Sequence, residues 1–199
     1  MKIISYYTKN TPYEQVANDF IIPSVKKFNL DNEIKPISTL GSWSANTGYK
    51  CSFIKEMLLK YKTPVCFLDC DAQIVKYPSL LYNIPKYIDL AYHHFNWFGH
   101  WRGQWDNKSK IELLSGTMVW AYNDKVLQLL DEWIDTVNKD SRTWEQKILE
   151  KIVYAKKDLN IFNLPAEYCC VLMQDYSIPK YIKSPVIIHH QASRRFKNV

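Results

Sequence analysis

Residues 63–78 read TPVCFLDCDAQIVKYP, and the fold turns on this stretch. Val65 to Leu68 form an unbroken apolar run, short enough for a strand and apolar enough to be buried on both faces. The run ends in Asp69-Cys70-Asp71. Side chains at i and i+2 of a strand share one side. The two carboxylates can therefore hold one hard divalent ion, Mg²⁺ or Mn²⁺, which takes oxygen ligands. Cys70, between them, is expected to point away. Asp is also a common turn residue at strand ends, and an isolated D-x-D is more often a turn than a metal site. Its surroundings decide between the two.

Upstream, Ile3 to Tyr7 reads as a first strand, and Lys9 to Pro12 as a turn. Apolar residues at 13, 16, 17, 20 and 21 give a helical spacing over Tyr13 to Phe28, with Pro23 kinking or interrupting it. Glu33 to Leu40 predicts a second strand, Gly41 to Gly48 a loop, and Cys51 to Tyr61 a helix. The order strand, helix, strand, helix, strand predicts a mainly parallel sheet flanked by helices, with right-handed crossovers. Ligands of such sheets bind outside the carboxyl ends of the strands. Tyr7-Thr8 and Asp69–Asp71 both fall there.

Downstream, Tyr87 to Tyr92 predicts a strand, and His93 to Asn107 a loop, HHFNWFGHWRGQWDN. Its rings suit either packing over the sheet or an acceptor platform formed by Trp97, Trp101, Arg102 and Trp105. The spacing of His93, His94 and His100 is not diagnostic of a second metal site. Leu113 to Tyr122 reads as a strand interrupted at Ser115-Gly116. Asp124 to Asn138 reads as a helix capped by Asn123 or Asp124, with Leu127, Leu130, Ile134 and Val137 on one face. Helix Thr143–Tyr154, a short strand ending at Phe162–Pro165, and strand Pro185–His189 follow, then the basic tail SRRFKNV.

The 199 residues suggest one domain, with 47% hydrophobic and 23% charged residues, ordinary for a globular chain. Fourteen Tyr and seven Trp are unusual and suit ring platforms. The formal charge of +6 is a mild bias toward phosphate-bearing partners. Five Cys without C-x-x-C read as reduced thiols of a cytoplasmic protein, bacterial or in the host cell of a virus. No stretch has the length of a signal peptide or membrane helix.

PVCFLDCDAQIVKYP resembles the D-x-D signature of nucleotide-sugar glycosyltransferases of the GT-A fold, in the style of the glycogenin-like and lipopolysaccharide galactosyltransferase-like enzymes. The resemblance runs in pieces over nearly the whole chain. It implies a single domain over 1–199, with a nucleotide-binding half, 1–71, and an acceptor and sugar half, 72–199, carrying a metal- and diphosphate-binding tail. It also implies that Tyr7, Thr8 and Tyr13 hold the nucleoside. Lys50 would reach the donor, and Ser115, Gly116, Glu145 and Gln146 would meet the sugar. Asp69, Asp71 and His189 would bind Mn²⁺ or Mg²⁺, with His190 the alternative, and Arg194, Arg195 or Lys197 would grip the diphosphate. The sequence departs from the family pattern at Leu114, where Asn precedes Ser-Gly, at Glu145, where Asp precedes Gln, and in lacking the K-P-W ending.

The expected activity is sugar transfer from a nucleotide diphosphate, UDP favoured, to a hydroxyl. The acceptor would be a glycan, a protein or a modified DNA base of the kind phage enzymes glycosylate. Retention is favoured. An inverting reaction would need a base, for which Glu145, Asp175 and Asp106 are candidates. A nucleotidyltransferase would favour a Gly-rich loop after the first strand, and YYTKNTPY has no Gly. A binding module without turnover is the non-enzyme alternative, and the intact Asp pair argues against it.

Overall fold

The computed structural model describes residues 1–102, 111–140 and 142–196. The chain enters directly into β1 (Lys2–Thr8), then α1 (Pro12–Asp19), α2 (Ile21–Lys27) and β2 (Asn32–Ile37). Next come α3 (Trp43–Tyr61), β3 (Val65–Leu68), β4 (Ala72–Ile74), α4 (Ser79–Tyr82), β5 (Leu90–Asn96), α5 (Trp97–Arg102) and β6 (Ile111–Trp120). Helices α6 (Asp124–Lys139) and α7 (Glu145–Ala155), strands β7 (Ile161–Asn163), β8 (Cys170–Val171) and β9 (Ile187–His189), and α8 (Ser193–Phe196) complete it.

The main sheet has the order β2-β1-β3-β6-β5-β7. β2, β1 and β3 are parallel, as are β5 and β7, and β6 pairs antiparallel with both β3 and β5. Thus β6 alone runs against the other strands of this sheet. The architecture is the mainly parallel α/β domain expected from the alternation around Val65–Leu68. Those four residues are all buried, Val65 and Phe67 into the core under α3, α6 and α7, Cys66 and Leu68 into the core against α1 and α2. Full burial of each large apolar side chain contributes ~1.5–3 kcal/mol.

Several boundaries differ from the sequence expectation, each for a local reason. The first helix breaks at Phe20, three residues before Pro23. Pro23 then occupies the first turn of α2, where a missing N–H costs nothing. Helix α3 begins eight residues early, because the Ser42 hydroxyl accepts from Ala45 N at 3.1 Å and caps it. Its Gly48 is a weak helix former, but a Cβ there would stand 3.1 Å from Val137 Cγ1, so glycine lets α3 approach α6. In α6 the fully buried face is Val126, Leu129, Leu130 and Trp133, while Leu127, Ile134 and Val137 are only partly buried. The expected stripe is therefore rotated, and Asn123 is the cap, its Oδ1 accepting from Val126 N at 2.9 Å. Strand β6 runs unbroken through Ser115-Gly116. His93 to Asn96, expected in a loop, extend β5.

A second sheet, β4-β9-β8, sits beside the carboxyl end of β3. β4 and β9 pair antiparallel, with Ala72 opposite His189.

Candidate metal and donor site

The Asp69–Asp71 segment forms the turn its sequence allowed and also brings its carboxylates into a group that could hold a metal ion. Ala72 N donates to Asp69 O at 2.9 Å, closing a tight turn between β3 and β4. The same turn gathers ligand atoms: one each from Asp69, Asp71 and His189 all lie within 4.8 Å of one another. His189 reaches them because β9 pairs with β4 just past the turn, and His190 N donates to Asp71 O at 3.1 Å. The adjacent histidines part company as alternation requires. His189 is buried with Nδ1 3.4 Å from Asp71 Oδ1. His190 stacks on Phe20 at 3.7 Å and meets Gln73 Oε1 at 2.9 Å.

Two carboxylates and an imidazole suit a hard or borderline divalent ion. Gly116 makes room for them: a Cβ there would fall 2.8 Å from His189 Cε1 and 3.2 Å from Asp69 Oδ2. Its place is set by the β3–β6 pairing, in which Asp69 N donates to Gly116 O at 2.9 Å. Burial works against ionisation of Asp71, but the hydrogen bond and charge of His189 and the Ala192 N–H outweigh it and lower its pKa. Burial likewise opposes the His189 imidazolium, but Cys169 and Asp71 hold its pKa well above the ordinary value. The residues present thus fit Mn²⁺ or Mg²⁺.

Beside this group lies a buried ion-pair network. Lys50 Nζ is 3.0 Å from Asp69 Oδ1, 3.1 Å from Glu145 Oε1 and 2.9 Å from Ser115 Oγ. Burial disfavours its charge, but Asp69 and Glu145 overcome that and raise its pKa. Glu145 is 3% exposed, and neither carboxylate oxygen has a hydrogen-bond partner although Lys50 is within ion-pair range. Gln146 is fixed at both ends: its Oε1 accepts from Ser115 N at 2.9 Å, and its Nε2 donates to Glu112 Oε1 at 2.7 Å.

These groups face one crevice of about 1140 Å³, counting the solvent at its mouth. Tyr7, Thr8 and Tyr13 line it at the end of β1 and the start of α1, where Thr8 Oγ1 meets the Thr11 N-cap hydroxyl at 2.8 Å. Ser115, Gly116, Trp97 and the Glu145-Gln146 pair line its other walls. The crevice thus collects most of the residues singled out in the sequence, including Tyr7, Thr8, Lys50, Asp69, Asp71 and His189. Cys70, expected to face away, also lines it, and burial raises its thiol pKa well above the ordinary value.

Other expected residues lie apart. Asp175 is exposed in a turn, its Oδ1 accepting from Ser177 N and Oγ, which leaves it far from candidacy as a base in this crevice. Arg194 lies outside the crevice lining, its guanidinium donating to the Leu172 and Met173 carbonyls at 3.0 and 2.8 Å. Arg195 sits over the rings of Tyr176 and Phe196, outside the crevice lining. Trp105, Asp106 and Lys197 lie outside the described residues, as do the side chains of Trp101 and Arg102. The loop histidines hold structure: His93 Nδ1 meets Leu164 O at 2.8 Å, His94 Nε2 meets Tyr92 OH at 2.8 Å, and His100 Nδ1 meets Tyr181 OH at 3.0 Å.

Sequence reading alone does not find Glu112, Trp43 or Trp144, which also line the crevice. Glu112 is buried and takes hydrogen bonds from Trp97 Nε1 and Gln146 Nε2. Trp43 and Trp144 pair across the mouth with centroids 6.1 Å apart. A helix start at Ser42 is the one local signal that would have placed Trp43, Asn46 and Thr47 here.

Residues 41–197 match a family model described as nucleotide-diphospho-sugar transferase. Among solved structures, the fold is similar to a glycosyltransferase involved in glycosylation of the major capsid of PBCV-1. That match is 13% identical, with a TM-score of 0.67, over 94% of this chain and 91% of the other. WbbM, a bifunctional glycosyltransferase, matches at 13% identity and TM-score 0.64, over 96% of this chain and 45% of WbbM. Mouse xyloside xylosyltransferase 1 matches at 10% identity and TM-score 0.56, over 95% and 97% of the two chains. At these identities the likeness is one of fold. No curated protein matches in sequence. No helix among the described residues is long and apolar enough to cross a membrane.

Proposed function

This chain belongs to the nucleotide-diphospho-sugar transferase family, and from that premise we propose a metal-dependent, retaining glycosyltransferase that moves a sugar from a UDP-sugar to a hydroxyl of a neutral glycan. The observation that carries the reading is the meeting of Asp69, Asp71 and His189 beside Lys50 in one crevice. Those three residues would hold Mn²⁺ or Mg²⁺. When bound, the ion supplies Lewis acidity that offsets charge on the departing diphosphate. Lys50 adds a fixed positive charge beside it. Tyr7 and Thr8 would flank the nucleoside. Glu145, whose buried oxygens have no hydrogen-bond partner, would accept from hydroxyls of the transferred sugar. Trp43 and Trp144 narrow the mouth against water.

Retention is supported by how the crevice carboxylates are engaged. Glu112 is tied to Trp97, Gln146 and Lys147, Glu145 is ion-paired to Lys50 and would bond the transferred sugar, and Asp69 and Asp71 would hold the ion. With each described carboxylate committed, the acceptor hydroxyl passes its proton to an oxygen of the departing diphosphate. The new bond to the sugar then forms on the face the diphosphate leaves. A neutral glycan is favoured over DNA because Lys50 is the one Lys or Arg among the described lining residues.

The test is a donor-hydrolysis screen over UDP-, GDP- and other nucleotide sugars with Mn²⁺. Neutral oligosaccharides and hydroxymethylated duplex DNA serve as acceptors, and NMR reads the product anomer. UDP-sugar turnover with retained configuration on an oligosaccharide is expected. Asp71→Ala should cut it at least about a hundredfold, equivalent to ~3 kcal/mol of lost charge stabilisation. Transfer to DNA alone, or an inverted product, overturns that part of the reading.

A further inference from the structure

The threonine after Gly116 has a role that the catalytic motifs do not include. Thr117 is 0% exposed in β6, and its Oγ1 lies 2.8 Å from His189 Nε2. The other ring nitrogen, Nδ1, faces Asp71 Oδ1 at 3.4 Å. The imidazole can therefore offer only Nδ1 to an ion held with the Asp pair. An Nδ1 lone pair is free for a metal only when the ring proton sits on Nε2. A buried Nε2–H needs an acceptor, and the Thr117 hydroxyl lies at hydrogen-bond distance from it, with Cys169 also bonded to the ring. We infer that Thr117 is a positioning residue for the metal site: it accepts the Nε2 proton of His189 and so fixes the ring tautomer and orientation that present Nδ1 to the ion.

Two neighbouring positions of β6 thus prepare the same histidine. Gly116 leaves the space into which the ring edge fits, since a Cβ there would meet Cε1 at 2.8 Å. Thr117 holds the far nitrogen. β6 also holds Asp69 through Gly116 O, so ring and carboxylate are registered on one strand. An outer partner of this kind commonly changes metal affinity by about 10–100-fold.

The inference rests on the metal reading of Asp69, Asp71 and His189, and the test separates the two. Mn²⁺ binding is measured by calorimetry on the full chain for wild type, Thr117→Val and Thr117→Ser. Thermal unfolding without metal is measured in parallel. Valine keeps the buried shape and removes the acceptor, so Thr117→Val should bind Mn²⁺ at least about tenfold more weakly while still melting cooperatively, at a temperature lowered by one unpaired buried N–H. Thr117→Ser, which keeps the hydroxyl, should stay close to wild type. With Mg²⁺ bound, ¹⁵N NMR of the His189 ring in wild type should show Nε2 protonated. If wild type binds Mn²⁺ and Thr117→Val binds it equally well, or Nδ1 carries the proton, the Thr117 role is overturned and the metal site stands. A wild type that binds neither ion overturns both.

Discussion

At the scale of single residues, the buried Lys50 ties together the described acidic side of the crevice. Lys50 is 4% exposed and sits between Asp69 and Glu145. Removing one partner of a buried ion pair leaves the other charged and desolvated, which costs about 3–5 kcal/mol. Replacing both by apolar groups of similar volume is often neutral. Lys50→Met should therefore lower the free energy of urea unfolding by about 3–5 kcal/mol, and Lys50→Met with Glu145→Leu should recover most of it. Asp69 needs no such repair, because its side chain is 37% exposed and stays hydrated. Neither variant should regain turnover, since both lack the charge beside the diphosphate. A Lys50→Met protein as stable as wild type would show that the network carries no strain of this kind.

At the scale of elements, the end of the sheet opposite the crevice is tied by Asp89, just before β5. Its Oδ1 accepts from Asn123 Nδ2 at 3.0 Å, and its Oδ2 accepts from Lys125 Nζ at 3.1 Å and Asn160 N at 2.9 Å. One carboxylate thus joins the starts of β5, α6 and β7. Burial alone would raise its pKa, but the Asn160, Asn123 and Lys125 donors outweigh that and lower it. A depressed folded pKa gives stability that is present above the unfolded value of about 3.9 and is lost as pH falls through the folded value. Asp89→Ala should cost ~2–3 kcal/mol at neutral pH. The deficit should shrink as urea melts are moved from pH 7 toward about pH 3. A deficit independent of pH would mean the loss is one of packing and not of charge. Because Asp89 lies outside the crevice lining, the variant should keep its Mn²⁺ affinity while folded.

At the scale of the whole molecule, an ion would join segments that are distant in the chain. Asp71 leaves the main sheet and His189 arrives on the second sheet, 118 residues later. A ligand that binds only the folded state stabilises it by about 2.7 kcal/mol at a hundredfold its Kd. Mn²⁺ with UDP should therefore raise the melting temperature of wild type and leave Asp71→Ala unmoved, read by scanning calorimetry. Absence of a shift with every nucleoside diphosphate would sink the metal-dependent reading. His189 stands beside the turn because β9 pairs with β4, so the candidate ligand group spans both sheets.

Local pattern was enough for the parallel half of the fold and for most of the site. An apolar run buried on both faces must sit inside a sheet, and alternating helices must cover it, so the carboxyl end of β3 had to be the crevice. Strand alternation required that one of His189 and His190 face the Asp pair, and the register of β9 on β4 decided that it is His189. Three things came from tertiary structure. The start of α3 depended on a cap and on the space Gly48 leaves for Val137, a long-range contact. The place of Arg194 depended on carbonyls at Leu172 and Met173, which no motif announces. Glu112 and Thr117 are ordinary strand residues in sequence. They matter because antiparallel pairing sets β6 between β3 and β5, where one meets Trp97 and Gln146 and the other meets His189. Asp69-Cys70-Asp71 by itself specified a turn with two carboxylates; the pairing of β4 with β9 supplied the imidazole that completes the candidate ligand group.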